Sequence, residues 1–171
     1  MNNHRMSFIF ILAATALLQA CNQGPDPAKV QADVTRAQAD GQKMIVDAQA
    51  KLDQVNAQAN KDVVNAQVDA NLAASNANPS AASEPNAAPA PAPADNDVAK
   101  TRKDANVDVA DAQLNLEKVK AEAAYNVAKA QCEAQTGDSG KTCNDNAKSR
   151  YDAAVNEAKA KNDAAHRRAK G

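Results

Sequence analysis

Cys132-Glu133-Ala134-Gln135-Thr136-Gly137-Asp138-Ser139-Gly140-Lys141-Thr142-Cys143 lies between two alanine-rich runs, and its reading decides how they are arranged. Gly137 suits a left-handed helix terminus, and the Thr/Gly/Asp/Ser cluster breaks a helical pattern. Thr142 with Asp145 three residues on has the form of a capping box, Asp standing for the usual Glu, so a new helix is expected there. Before the break, Ala105, Val109, Ala112, Leu116, Val119, Ala123, Val127, Ala130 and Ala134 recur by threes and fours, the spacing of one helical face. After it, Ala147, Tyr151, Ala154, Ala158, Ala165 and Ala169 do the same, interrupted by Asn162. If Cys132 faces Cys143 across the turn, Tyr151 comes beside Ala124 and Tyr125, Val155 beside Val119, Ala158 beside Leu116 and Ala165 beside Val109, while Val127 falls near Lys148. Apolar positions meet at nearly every step, so residues 97–171 are expected to form an antiparallel helical hairpin. Its expected seam is Val109, Leu116, Val119, Tyr125, Val127, Tyr151 and Val155.

Upstream, residues 28–74 contain no proline and read as a single helix. Val30, Val34, Ala37, Gly41, Met44, Ala48, Leu52, Val55, Ala59, Val63, Ala66 and Ala70 mark its apolar seam, with an average step close to the 3.6 residues of a turn. Strict 3.5-residue spacing, which forces left-handed supercoiling, is not kept. Lys29, Arg36 and Lys43 recur every seven residues, each followed four residues later by Asp33, Asp40 and Asp47. Lys before Asp is the weaker order within one helix, which favours use against a partner. A helix of this kind is held mainly by packing, so it either self-associates as a coiled-coil-like dimer or trimer, or folds back on the hairpin. Residues 75–96 carry Pro79, Pro85, Pro89, Pro91 and Pro93, which forbid a continuous helix. They are expected to be a disordered Pro/Ala tether, reaching roughly 60–70 Å if extended; recognition of the alternating prolines by a partner is the other reading.

Composition limits what such a chain can build. Of 171 residues, two are Phe, two are Tyr and none is Trp. Both phenylalanines, Phe8 and Phe10, fall in the first ten residues. Alanine makes up more than half of the hydrophobic residues. It buries little area but is the best helix former. The expected fold class is therefore all-α, with long helices and thin seams. The formal net charge of −1, with both signs interspersed, gives no nucleic-acid footprint, and the aromatic platforms that stack single strands are missing.

The N-terminus carries a processing signal. His4 and Arg5 precede an apolar run over 6–18 that has the length of a signal-peptide core and is too short to span a bilayer. Leu18-Gln19-Ala20-Cys21 then resembles the lipobox of bacterial lipoproteins, with Gln19 a less common middle residue. The resemblance implies cleavage of residues 1–20 and acylation of Cys21 (palmitate among the expected chains), leaving 21–27 as a short lipidated tether to the membrane. Two or three acyl chains anchor essentially permanently where one does not. With Cys21 assigned to lipid, Cys132 and Cys143 remain as an even pair in an exported, oxidising setting. No Cys-x-x-Cys element or neighbouring histidine points to zinc, so they are read as a disulfide.

A lipidated cysteine followed by an alanine-rich helix with Lys/Asp heptads is similar to murein lipoprotein and the alanine-zipper lipoproteins of Gram-negative outer membranes, over about residues 18–74. The resemblance implies self-association through 28–74 and contact with peptidoglycan. Members of that group that join peptidoglycan covalently use a C-terminal lysine, whereas here Lys170 is penultimate to Gly171. The Ala/Lys/Asp-rich helices also resemble the helical spacer of Tol-system envelope proteins. Asn22, not Asp, follows the cysteine, which favours the outer membrane, periplasmic face or cell surface. The expectation is a non-enzymatic envelope spacer or adaptor without cofactor or metal; the alternative is a binding module whose hairpin recognises and regulates one envelope protein.

The sequence presents no catalytic constellation. His166 is the one histidine after the signal segment and sits beside Arg167, Arg168 and Lys170, where a helix C-terminus favours cations. As a base it would need an orienting carboxylate and a pocket. No strained serine turn or glycine-rich phosphate loop is present. Tyr125 and Tyr151 read as seam residues.

Overall fold

The computed structural model describes residues 24–76 and 93–170. Residues 1–20, expected to be a signal peptide, Cys21, and residues 77–92 of the tether expected over 75–96 lie outside the described residues. Three helices make up the fold: α1, Pro27–Asn76; α2, Pro93–Cys132; and α3, Gly137–Lys170. No strand occurs among the described residues. The all-α class expected from composition is the class observed.

Local chemistry sets the helix ends. Asp26 caps α1: its Oδ1 accepts the Ala28 N–H at 2.9 Å and its carbonyl accepts the Val30 N–H at 3.0 Å. Pro27 then occupies the first helical position, where its missing N–H has no cost. Pro93 opens α2 in the same way, inside the stretch expected to be tether. The chain leaves α2 through N–H groups of Ala134 and Gln135 bonded to the carbonyls of Gln131 and Cys132. Gly137 takes φ of 61°, a left-handed conformation that glycine adopts without strain. The capping box expected at Thr142 is not a helix start, because α3 runs unbroken from Gly137. Asp138 in its first turn supplies the favourable charge there instead.

α1 folds back antiparallel along α2. Gly41 faces Ala123 so closely that a Cβ on residue 41 would meet the Ala123 Cβ at 2.9 Å. Seven to eleven residues further along α1, Ala48 and Leu52 close on Leu116 of α2. Ile45, Val109, Ala112 and Val119 pack around that cluster. Of the two fates open to the seam of 28–74, the structure has it buried on α2 of the same chain, with Val34, Ala48, Leu52 and Ala70 inside.

α3 lies on the other side of α2. Residues of α2 turned to α1, such as Ala112, Leu116 and Ala123, and those turned to α3, such as Tyr125 and Cys132, fall on roughly opposite sides at about 100° per residue. α1 and α3 contact α2 and do not contact each other. The three helices therefore form an antiparallel layer with α2 at its centre.

This placement corrects part of the expected hairpin seam. Val109, Leu116 and Val119 face α1, not α3, and Val127, three turns beyond Leu116, lies on that same side. The apolar stripe read in α2 was real, but α1 takes it. The α3 contact uses a second, smaller stripe of buried Ala110, Ala121 and Cys132 with half-buried Tyr125. On α3, Tyr151 and Val155 are half-buried and Ala147 and Ala158 are buried.

The Gly41–Ala123 approach makes a direct prediction. Gly41→Leu would force the helices apart and should destabilise the chain by about 1–3 kcal/mol, as overpacked sites do. Thermal unfolding followed by circular dichroism measures it. Gly41→Ala sets a helix-propensity gain of about 1 kcal/mol against the steric overlap, and should lie well above Gly41→Leu in melting temperature.

Candidate functional site

Two interhelical constellations hold α3 to α2. The first is at the turn. Cys132, with 2% of its surface exposed, and half-buried Cys143 form a disulfide with Cα atoms 5.6 Å apart. That distance is within the usual range for the bond. Two turns along, the rings of Tyr125 and Tyr151 lie 5.5 Å apart at 41°, a tilted aromatic pair. These contacts fix the α2–α3 register that the cysteine spacing implied. On one side of the turn, Gln131, Asp138, Asn146 and Arg150 line an open cleft of about 580 Å³.

The second constellation was missed in the sequence. Asn162 donates from Nδ2 to Asp111 Oδ1 at 2.7 Å, and the His166 Nε2 lies 2.7 Å from the same oxygen. A carboxylate only accepts, so Nε2 carries the proton of this contact. Hydrogen bonds from His166 and then Asn162 hold the Asp111 carboxyl below its ordinary pKa. The signal was available: the register set by Cys132 and Cys143 brings His166 opposite residue 109 of α2, between the carboxylates Asp108 and Asp111. The position that interrupts the α3 stripe, Asn162, thus has an interhelical partner.

An Asp–His pair is one half of a catalytic arrangement. The groove beside His166 is lined by Lys100, Lys103, Asp104 and Val107, with no hydroxyl or thiol side chain positioned to attack a substrate. Asp111 itself has 54% of its side chain exposed. No group of three metal-ligating side chains occurs among the described residues. No described helix is long and apolar enough to cross a membrane.

Charges elsewhere pair mostly along single helices. Lys29 reaches Asp33 at 3.5 Å and Arg36 approaches the same carboxylate at 3.9 Å, so this first Lys/Asp heptad is satisfied within α1. Lys100–Asp104, Lys148–Asp152 and Glu157–Lys161 are further exposed pairs four residues apart. Such pairs contribute a few tenths of a kcal/mol each. They steady helices; they do not build a site.

Comparison of the chain with protein-family models, curated proteins and solved structures finds no match.

Two predictions follow from the constellations. Loss of the disulfide, by reduction or Cys143→Ser, should lower stability by about 3 kcal/mol for a loop of this size, because it releases the unfolded chain from closure. Denaturant unfolding of the two forms gives the difference, and mass spectrometry of a non-reduced digest locates the bond. The Asp111 contact has a sign in pH. Its folded pKa is depressed, so its stabilisation is present above the ordinary carboxylate range and is lost as pH falls through that range. At this exposure it amounts to under ~1 kcal/mol, so Asp111→Asn should lower the melting temperature slightly at neutral and basic pH, leave it unchanged below the carboxylate range, and so flatten the acid limb of the profile.

Proposed function

We propose that this chain is a non-enzymatic envelope lipoprotein, anchored through acyl groups on Cys21 and acting as a spacer or adaptor between the outer membrane and a periplasmic partner. One observation carries this reading. α1 starts at Pro27, six positions after the lipobox-like cysteine, and runs 50 residues without a break. At 1.5 Å per residue that is a rod about 75 Å long, tied by a very short tether to its point of attachment. Antiparallel packing brings the α2–α3 turn to the same end as the start of α1. The start of α2 and the end of α3, with Arg167, Arg168 and Lys170, then project away from the membrane. Rigidity along one axis suits a spacer, and the absence of a described enclosed cavity with convergent reactive groups suits a non-catalytic role. The partner's chemistry expected on this reading is peptidoglycan or an envelope protein.

Cys21→Ser tests the anchor. The variant should accumulate as an unprocessed, unacylated chain and shift from the membrane to the soluble fraction, with loss of radiolabelled palmitate. A wild-type chain without acyl label, and a variant that still sediments with membranes, would remove the lipoprotein reading.

A further inference from the structure

We infer that the outer edge of α1 is a second helix-packing seam, and that its occupant is the same edge of a second copy of this chain, side by side and parallel. The inference begins with a repeat. Residues 46–54, 55–63 and 64–72 each start Val-Asx-Ala-Gln, a nonapeptide in three copies. In each, the Gln side chain bonds the Asp or Asn four residues on: Gln49 to Asp53, Gln58 to Asp62 and Gln67 to Asn71, at 2.9, 2.8 and 3.4 Å.

Nine residues make two and a half helical turns. Equivalent positions in successive copies therefore point to opposite sides of α1. The burial pattern follows this alternation. Val55 is half-buried against α2, while its equivalents Val46 and Val64 are 54% and 60% exposed. Ala48 is 7% exposed and Ala66 half-buried, but Ala57 between them faces solvent. Ala59 is half-buried, whereas Ala50 is exposed and Val68 is 51% exposed. One stripe is filled by α2. Its twin, made of the same residue types by the same repeat, is bare.

Ala39, Ala32 and Ala28 carry the bare stripe to the start of the helix, all of them exposed. With Leu72 at 56%, the large exposed hydrophobics among the described residues all lie on α1. The corresponding outer edge of α3 has Ser149, Asn156 and Arg167 between its alanines. Within the layer only α1 offers an apolar edge, so a contact between two copies is isologous, each edge meeting its own equivalent. A strip about 75 Å long and about 10 Å wide covers roughly 750 Å² on each copy, close to the ~800 Å² per partner of a stable interface.

Charge sets the direction. Arg36, Lys43 and Lys61 flank the stripe on one side, and Thr35, Gln42, Asp53 and Asn60 flank it on the other. In a parallel pair each cationic flank meets the partner's amide and carboxylate flank. Full overlap in the antiparallel sense sets the cationic flank against itself, with Lys43 beside Lys61, and like charges in contact are unfavourable. The inference stands on packing and charge, and does not depend on how Cys21 is modified.

The test uses the full chain in mild detergent. Sedimentation equilibrium should give a dimer, and Val64→Asp should weaken it by at least about tenfold with helicity and melting of the chain itself unchanged, since residue 64 is exposed within it. Cysteine crosslinking reads the direction in a Cys21→Ser background, where the introduced thiol is the only free one. Val46→Cys and Val64→Cys should each form a disulfide with its own equivalent on mild oxidation. A monomer at every concentration, or a dimer that Val64→Asp leaves intact, overturns the inference. So does crosslinking that occurs only when Val46→Cys and Ala57→Cys chains are mixed, which would mean a fully overlapped antiparallel pair.

Discussion

Close approach of helix backbones is the constraint on which this molecule depends. With so few large side chains, a seam can exclude water only if the helices come near enough for alanines to touch. Gly41, whose missing Cβ would overlap the Cβ of Ala123, is one point where that approach is close. Leu52 and Leu116 fill the one place along the seam where two larger side chains meet. Ile45, Val109 and Val119 pack around that point and much of the remaining seam is alanine, so stability is spread thinly over many turns. This explains the length of the helices: a thin seam must be long to hold two elements together.

α2 carries the consequences. It is the one helix with two packed faces, and its two stripes differ in how they are secured. Toward α1 the contact is apolar and extended. Toward α3 it is shorter in apolar area and is reinforced at both ends, by the Cys132–Cys143 disulfide at the turn and by Asp111 with Asn162 and His166 near the far end. Covalent and polar links stand where hydrophobic area runs short, a pattern expected of small or thin cores. A layer built this way leaves its outermost edges uncovered, and the apolar edge of α1 follows from that architecture.

The functional reading draws on the same geometry. A layer of parallel-sided rods has a long axis and two distinct ends, but no enclosed interior. Its described clefts are open surface grooves between neighbouring helices. The proposed spacer role draws on that long axis, and the proposed contact between copies on the uncovered edge of α1.

How much of this was legible beforehand differs by element. Alanine content, helical periodicity and the breaker cluster at 136–141 determined the all-α class, the three helices and the hairpin turn, because these are local properties of the backbone. The cysteine spacing also gave the α2–α3 register, which Tyr125 and Tyr151 follow. What could not be read was which stripe of α2 faces which neighbour. Val109, Leu116 and Val119 lie on an apolar stripe that fits either partner equally well by periodicity. Only tertiary packing assigns it to α1, where Gly41 lets the helix approach Ala123 closely and Ala48 and Leu52 close on Leu116. The His166–Asp111 contact was hidden for a related reason: the two residues are 55 positions apart, and a helix pattern read along the chain carries no information across such a gap until the register is fixed.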